Sequence, residues 1–445
     1  MQARPNILLI LADQLSASMM SCAGNRFLRT PAIDSLAATG TRFDRAYSAN
    51  PVCVPSRFSL MTGRMPSEIG LRSCDIQHID SVSREIRDSG LGWQMRSAGY
   101  KPAYGGKVHL PGMTPEEIGF DFICRDERDE LAEECARYIR KERDQPFFLC
   151  ASFINPHDIC YMAIRDFAAS DRERDLIDRG QIEMTNLDRA LRRPEGVSED
   201  EFFSEHCPPL PENHQPQEDE PEAISHFLEK SPFKKKARAH YSDKQWRLHR
   251  WAYARLTEMV DRQIARVLEA LRASGQEDNT LVIFTSDHGD HDSAHKLEHK
   301  TVFYEEACRV PLIISQPGVT SKGVCSDLVS NGLDLLPTLC DYAGAEPPAD
   351  RIGVSLRPLA ERKSLPATRE FIPMENEIGR MIVTKDHKYM LYDSGENREQ
   401  LIDLRNDPGE TRNAIADETN SEALSRCREF FARYFGPTPS DADDA

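Results

Sequence analysis

Four stretches of this chain are apolar almost without interruption, and three of them stop at Asp or His. Residues 6–13 read NILLILAD, 146–157 PFFLCASFINPH, 279–291 NTLVIFTSDHGDH and 309–318 RVPLIISQPG. A strand with one wet face alternates; an unbroken apolar strand is covered on both faces, as in parallel sheets. Helical stretches lie between these runs, among them DELAEECARYIRKER (129–143) and LTEMVDRQIARVLEALRASG (256–275), the latter closed by Gly275. Strands alternating with helices predict an α/β fold, a doubly wound and mostly parallel sheet flanked by helices. Such sheets bind ligands at the carboxyl ends of their strands. Asp13, His157, Asp287 and His288 all fall at such ends.

The 445 residues suffice for one large domain with a smaller one attached. With 56 basic and 73 acidic residues the formal charge is -17, which disfavours general binding to nucleic acid or anionic membrane. An anionic substrate would need a local concentration of cations. No run of about 20 apolar residues is present to span a membrane. The 12 cysteines are scattered, and most are expected reduced and buried, which favours the cytoplasm. Location itself stays open: cytoplasmic if Met1 is the true start, periplasmic or secreted if a signal peptide was trimmed.

Residues 160–245 differ from their surroundings, being rich in charge and proline, with CPPLPENHQPQEDEPE in the middle. They read as an insertion forming a lid or wall within a catalytic domain of residues 1–367. Residues 368–445 read as a small α+β subdomain: short strands, the amphipathic SEALSRCREFFARYF, and a tail, PTPSDADDA, expected to be disordered.

The strand-end residues invite a metal. Asp13 and Gln14 offer oxygens; Asp287 and His288 offer a carboxylate and an imidazole. Oxygen-dominated sets suit Ca²⁺, Mg²⁺ or Mn²⁺. GGKVHLPG adds Lys107 and His109, INPHD adds His157, and HKLEHKTVFYEEACRVP adds His295, His299 and Lys300. Each alone is more often a solvated lysine or a satisfied histidine. Together with a metal they make a positive pocket suited to transfer of a tetrahedral anion. The stretch ANPVCVPSR then falls into place. Cys53 would open a helix, whose first N–H groups favour an anion; Pro55 would fix the turn; Arg57 could hold the nucleophile and bridge to the metal.

CVPSR matches the Cys-x-Pro-Ser-Arg signature of the type I, formylglycine-dependent sulfatases of the alkaline phosphatase superfamily. FSLMTGRMPSEIG resembles the continuation of that signature, and NILLILADQ the first strand with its metal ligands. TSDHGD and HKTVFYEEACRVPLII resemble later metal and substrate segments, and LIDLRNDPGETRN a C-terminal one, so the likeness runs in order over residues 5–413. The resemblance implies that Cys53 is oxidised to formylglycine by a formylglycine-generating enzyme, a maturation partner. The hydrated aldehyde, on Ca²⁺, would attack the sulfur of a sulfate ester. It further implies metal ligation by Asp13, Gln14, Asp287 and His288 together with position 53. Arg57 would support the diol, and Lys107 and Lys300 would grip sulfate oxygens. His109 would act as a base near the diol, and His157 would protonate the leaving oxygen. His295 and His299 are candidate substrate-binding residues.

Many relatives have Asp-Asp where this chain has Asp13-Gln14, and Asp-Asn where it has Asp287-His288. The expected substrate is a small-molecule or oligosaccharide sulfate ester, with a sulfated carbohydrate favoured by the polar insertion. The alternatives are a phosphonate or phosphate diester hydrolase, a choline or aryl sulfatase, and a non-catalytic anion-binding relative.

Overall fold

The computed structural model describes residues 4–74, 82–363 and 369–437. At its centre is an eight-stranded sheet: β1 (Asn6–Asp13), β2 (Thr41–Phe43), β3 (Lys101–Gly106), β4 (Asp121–Cys124), β5 (Phe147–Pro156), β6 (Thr280–Ser286), β7 (Leu312–Ser315) and β8 (Gly323–Cys325). Their spatial order is β4-β3-β5-β1-β6-β7-β2-β8. The five strands from β4 to β6 are parallel neighbours. β7 is antiparallel to both β6 and β2, while β2 and β8 are parallel. The RVPLIISQPG run is therefore the strand that runs against the rest. Its unbroken apolarity reports burial on both faces, which carries no information about direction.

The core explains the pattern. Along β1, Leu8, Ile10 and Ala12 enter one hydrophobic cluster, while Ile7, Leu9 and Leu11 enter another on the opposite face. The first cluster holds helices α2 (Asp129–Ile139) and α3 (Asp243–Ala273). The second holds α1 (Cys53–Thr62) and α4 (Asn331–Ala343). Each fully buried aliphatic side chain contributes about 1.5–3 kcal/mol, so this double-sided packing fixes the strand ends rigidly. Among the described residues, no helix is long and apolar enough to cross a membrane. The 12 cysteines are all free thiols, with Cys74 exposed and most of the others buried.

Residues 160–245 are partly anchored in this core: Met162, Ala163, Leu187 and Ala237 pack into the α2/α3 cluster. Their proline-rich middle ties the catalytic loops to the C-terminal sheet. Asn213 Nδ2 donates to Glu306 at 2.9 Å, and Gln217 Nε2 donates to the Glu410 carbonyl at 2.7 Å. That sheet is an antiparallel meander of β9 (Ile372–Asn376), β10 (Gly379–Val383), β11 (His387–Tyr392) and β12 (Glu399–Asp403). Helix α5 (Ser421–Phe435) lays Cys427, Phe430 and Phe431 against Tyr389 and Leu401. The expected boundary at 367/368 and the tail from residue 438 lie outside the described residues.

Candidate active site at the carboxyl end of the sheet

β1 ends on Asp13, fully buried, and Gln14 turns the chain away with φ 67°. That turn presents the Gln14 N–H to Asp287 Oδ1 at 3.1 Å. β6 leads into Asp287-His288-Gly289. A Cβ on Gly289 would sit 1.9 Å from the Glu306 carbonyl oxygen, so this turn requires glycine. β3 ends on Gly106 (φ 88°), where a Cβ would meet the Ser152 carbonyl oxygen at 2.0 Å. The close approach lets the Lys107 N–H donate to that oxygen at 2.8 Å and aims Lys107 at the neighbouring strand ends. α1 opens on Cys53, after an extended Val52. Four residues later, on the same face, comes Arg57.

Arg57 is 1 % exposed and spends its donors on the two carboxylates. Nη2 lies 2.8 Å from Asp13 Oδ2 and Nε 2.9 Å from Asp287 Oδ2. Nη1 donates at 2.9 Å to both the Lys107 carbonyl and Ser152 Oγ. Lys107 Nζ adds a second contact to Asp13 Oδ2 at 2.6 Å. One oxygen of each carboxylate is thus clamped by cations, while Asp13 Oδ1 faces the Cys53 sulfur at 3.9 Å.

The Cys53 sulfur is the meeting point. Lys300 Nζ lies 2.9 Å away and His288 Nε2 3.1 Å away. The His157 side chain hydrogen-bonds the same thiol, and Cys74 contacts it from the site's outer edge. His288 Nδ1 donates to the Gly289 carbonyl at 2.8 Å, so Nε2 is the ring nitrogen that faces Cys53; burial lowers the proton affinity of the ring, but Asp287 and the Cys53 charge outweigh it and raise it. Contact with Cys74, together with the charges of Lys300, His288 and Lys107, overcomes burial and holds the thiol well below its ordinary range. Burial and the Cys53 charge push the Asp13 carboxyl up, but Lys107, His157 and Arg57 pull it well below the usual carboxylate range. Burial, then Lys107 and Lys300, push His157 down to about 4, so it is neutral at pH 7.

Asp13, Cys53, Asp287 and His288 each offer one ligand atom, and these atoms lie within 4.8 Å of one another, all buried. Two carboxylates and one imidazole whose Nε2 faces the cluster, and which would ligate once deprotonated, form a donor set that fits an oxygen-seeking divalent cation. Gln14 stands beside them with its amide orientation fixed. Its Nε2 donates at 2.7 Å to Asp290 Oδ2, a carboxylate that can only accept. Its Oε1 therefore faces the cluster, where it accepts from Lys300 Nζ at 2.7 Å and Cys160 Sγ at 3.1 Å. Asp290 is held in turn by His249 Nε2 at 3.2 Å.

The structure thus brings Asp13, Gln14, Cys53, Arg57, Lys107, His157, Asp287, His288 and Lys300 into one cluster. His109 stands apart: it is exposed, on a left-handed turn (φ 46°), and among the described residues no hydrogen bond or ion pair joins it to the cluster. His295 stands apart too. It is buried and stacked on Tyr304 with ring centroids 3.7 Å apart, and its backbone N–H donates to the Asn213 carbonyl at 2.8 Å. His299 lies nearer, 5.3 Å from the Phe233 ring and set against the Glu298 carboxylate. Ser152, Cys160, Asp290 and Lys234 were not singled out by sequence. Asp290 lies within the quoted TSDHGDH motif; the other three carry no local signal.

A family model described as "Sulfatase" matches residues 5–345. A second, "N-sulphoglucosamine sulphohydrolase, C-terminal", matches residues 293–433. A Delta 4,5-hexuronate-2-O-sulfatase of Bacteroides thetaiotaomicron is 29% identical, over 99% of this chain and 90% of that protein. An arylsulfatase of Clostridium perfringens is 27% identical, over 97% and 94%. Among solved structures, a 2-O GAG sulfatase superposes with a TM-score of 0.82 at 27% identity, covering 97% of this chain and 92% of that one.

Proposed function

The chain belongs to the sulfatase family, and from that premise we propose that it removes sulfate from a sulfated carbohydrate with position 53 as the nucleophile. The observation that carries this reading is the surrounding of the Cys53 sulfur. At a helix N-terminus it meets an ammonium at 2.9 Å and an imidazole at 3.1 Å, beside two buried carboxylates. Conversion of Cys53 to formylglycine, by a formylglycine-generating enzyme, would supply a hydrated aldehyde with two hydroxyls on one carbon: one to attack the sulfur, the other to expel sulfate as the aldehyde re-forms, an exit that a thiolate lacks. A divalent metal, Ca²⁺ by family precedent, would supply charge to stabilise that oxygen and the anion it attacks; Asp13, Gln14, Asp287 and His288 are the residues that would hold it.

The chain's own groups divide the remaining work. Arg57 keeps both carboxylates in place and neutralises one oxygen of each. Lys107 and Lys300 bind sulfate oxygens and offset charge as the sulfur–oxygen bond breaks. His157 hydrogen-bonds position 53 and serves the leaving oxygen. Burial first, then repulsion by Lys107 and Lys300, keeps it neutral; an anion bound to those lysines offsets the repulsion and raises its proton affinity. A sugar alkoxide leaves poorly unless protonated, so this donor matters most for carbohydrate substrates.

The sugar is argued from the relatives, which include enzymes named for a hexuronate 2-O-sulfate and for N-acetylglucosamine 6-O-sulfate. A panel of sulfated hexuronates, sulfated hexosamines, aryl sulfates, choline sulfate and a phosphonate monoester tests the reading. Fastest sulfate release from a sulfated sugar is expected. Faster cleavage of the phosphonate, or binding without turnover by fully converted protein, would overturn it.

A further inference from the structure

Residues 160–245 contribute one cation that the sulfate-handling cluster does not use. Lys234 sits on the Pro232–His240 helix, and its ammonium lies over the Phe227 ring, 4.6 Å from the centroid. It lines a small cavity together with Lys300, His291, Lys296 and Glu298. Among the described residues no carboxylate lies within ion-pair distance of Lys234; Glu377 attracts it from farther off, and Glu298 faces the same cavity beside His299, an imidazole that burial and the charges of Lys234 and Lys300 hold well below its ordinary range. Lys235 and Lys236, its neighbours in sequence, are exposed, so one of three consecutive lysines is turned inward.

Three ammonium groups, Lys234, Lys296 and Lys300, line this cavity against one carboxylate, Glu298, with an aromatic face beside Lys234, so positive charge is in excess there. Burial, then the charge of Lys300, push the Lys234 ammonium down to about 8. An anionic oxygen among them would offset the mutual repulsion of Lys234 and Lys300. The cavity, about 10 Å³, is close to the room one water occupies, hence one oxygen of a carboxylate or sulfate rather than a whole sugar.

We propose that Lys234 and Lys300 form a second anion subsite, which selects substrates bearing a further carboxylate or sulfate on the sugar whose ester is cleaved. The inference rests on the sulfatase reading above. In it Lys300 is shared between the leaving sulfate and the second anion, and Lys234 belongs to the second anion alone. The substrate class is then an acidic sulfated sugar: a sulfated uronate, or a disulfated hexosamine.

Calorimetry on metal-loaded Cys53→Ala protein reads the subsite without turnover. The ligands are a 2-O-sulfated hexuronate, its carboxyl-reduced counterpart, and a hexosamine with one or two sulfates. Lys234→Met should weaken the hexuronate or the disulfated sugar by about 10–100-fold and the singly charged counterpart by under about threefold; Lys234→Arg should recover most of the loss. Which acidic ligand responds identifies carboxylate or sulfate as the second anion. Equal weakening of both members of a pair, or no weakening of either, would overturn the subsite. Turnover by the Cys-converted wild type is scored separately: its absence on every ester would overturn the sulfatase reading while the binding differences still decide the role of Lys234.

Discussion

Two buried charge networks in this molecule have opposite surpluses. At the junction with the C-terminal sheet, Lys388 is fully buried and spends itself internally: its Nζ lies 2.9 Å from Glu305, 2.8 Å from Glu410 and 2.9 Å from the Phe303 carbonyl. Glu306 adds a further buried carboxyl, so acids predominate there. At the sheet's carboxyl end, Arg57 and Lys107 pair with Asp13 and Asp287, and Lys300 reaches only a sulfur and an amide oxygen. The junction closes on itself and holds two units together. The site leaves cations directed at a place where an anion can stand, inside a protein of charge -17. Net charge says little about a substrate; the local surplus says more.

The largest expected effect sharpens that contrast at the nucleophile. Cys53→Ala should cut turnover by on the order of 10⁴-fold or more with circular dichroism and melting behaviour unchanged. His157→Ala should slow sulfated sugars by about 10²–10⁴-fold and activated aryl sulfates by much less, read as a ratio of kcat/KM values. Equal losses on both would remove His157 from the leaving group. Next comes a direct exchange between the networks. Lys388→Met strands two carboxylates and should cost about 3–5 kcal/mol in denaturant unfolding, while the protein that remains folded keeps its turnover per site. Lys300→Met should lose turnover with a stability change less than half as large. Should both variants lose stability alike, the two networks would be of one kind.

A smaller effect concerns the amide of Gln14. Asp290→Asn frees that amide to flip and should weaken Ca²⁺ binding to the apoprotein by about 10–100-fold, measured by chelator competition. Gln14→Glu alone sets two carboxylates against each other. The double variant Gln14→Glu/Asp290→Asn restores donor facing acceptor and should recover affinity; additive losses would show that Asp290 does not orient residue 14. The smallest is a pH effect at Lys234. Its folded value of about 8 is below that of an ordinary lysine, so the charge it offers a ligand is complete below pH 8 and lost above it. Its surroundings are Lys300, Cys160, Glu377 and Cys74 by charge, and His291, Lys296 and Glu298 across the cavity. KM for an acidic sulfated sugar should rise by up to about tenfold above pH 8, and this limb should vanish in Lys234→Met. An unchanged limb would assign it elsewhere.

The residues explain what was legible in the sequence. Asn6–Asp13 is recognisable to the residue because its apolar run ends abruptly on a carboxylate, and both faces of the strand are buried. The same cue located β7 but not its direction, since burial on two faces looks alike either way. His295 and His299 were indistinguishable in HKLEHK. Left-handed backbone at both positions (φ 53° and 65°) sends one ring onto Tyr304 and the other toward Phe233. Ser152 and Lys234 act through distance in space rather than spacing in sequence. Only the packed helix decides which lysine of FKKKAR turns inward.

The central claim rests on position 53, and peptide mass spectrometry of graded preparations tests it most directly. Protein made with increasing amounts of a formylglycine-generating partner is digested, the fraction of Cys53 present as aldehyde is measured, and sulfate release from the best sugar of the panel is recorded on the same samples. The account predicts release proportional to the aldehyde fraction, extrapolating to zero for the thiol. Full activity with an intact Cys53 thiol, or none with complete conversion and metal present, would contradict it.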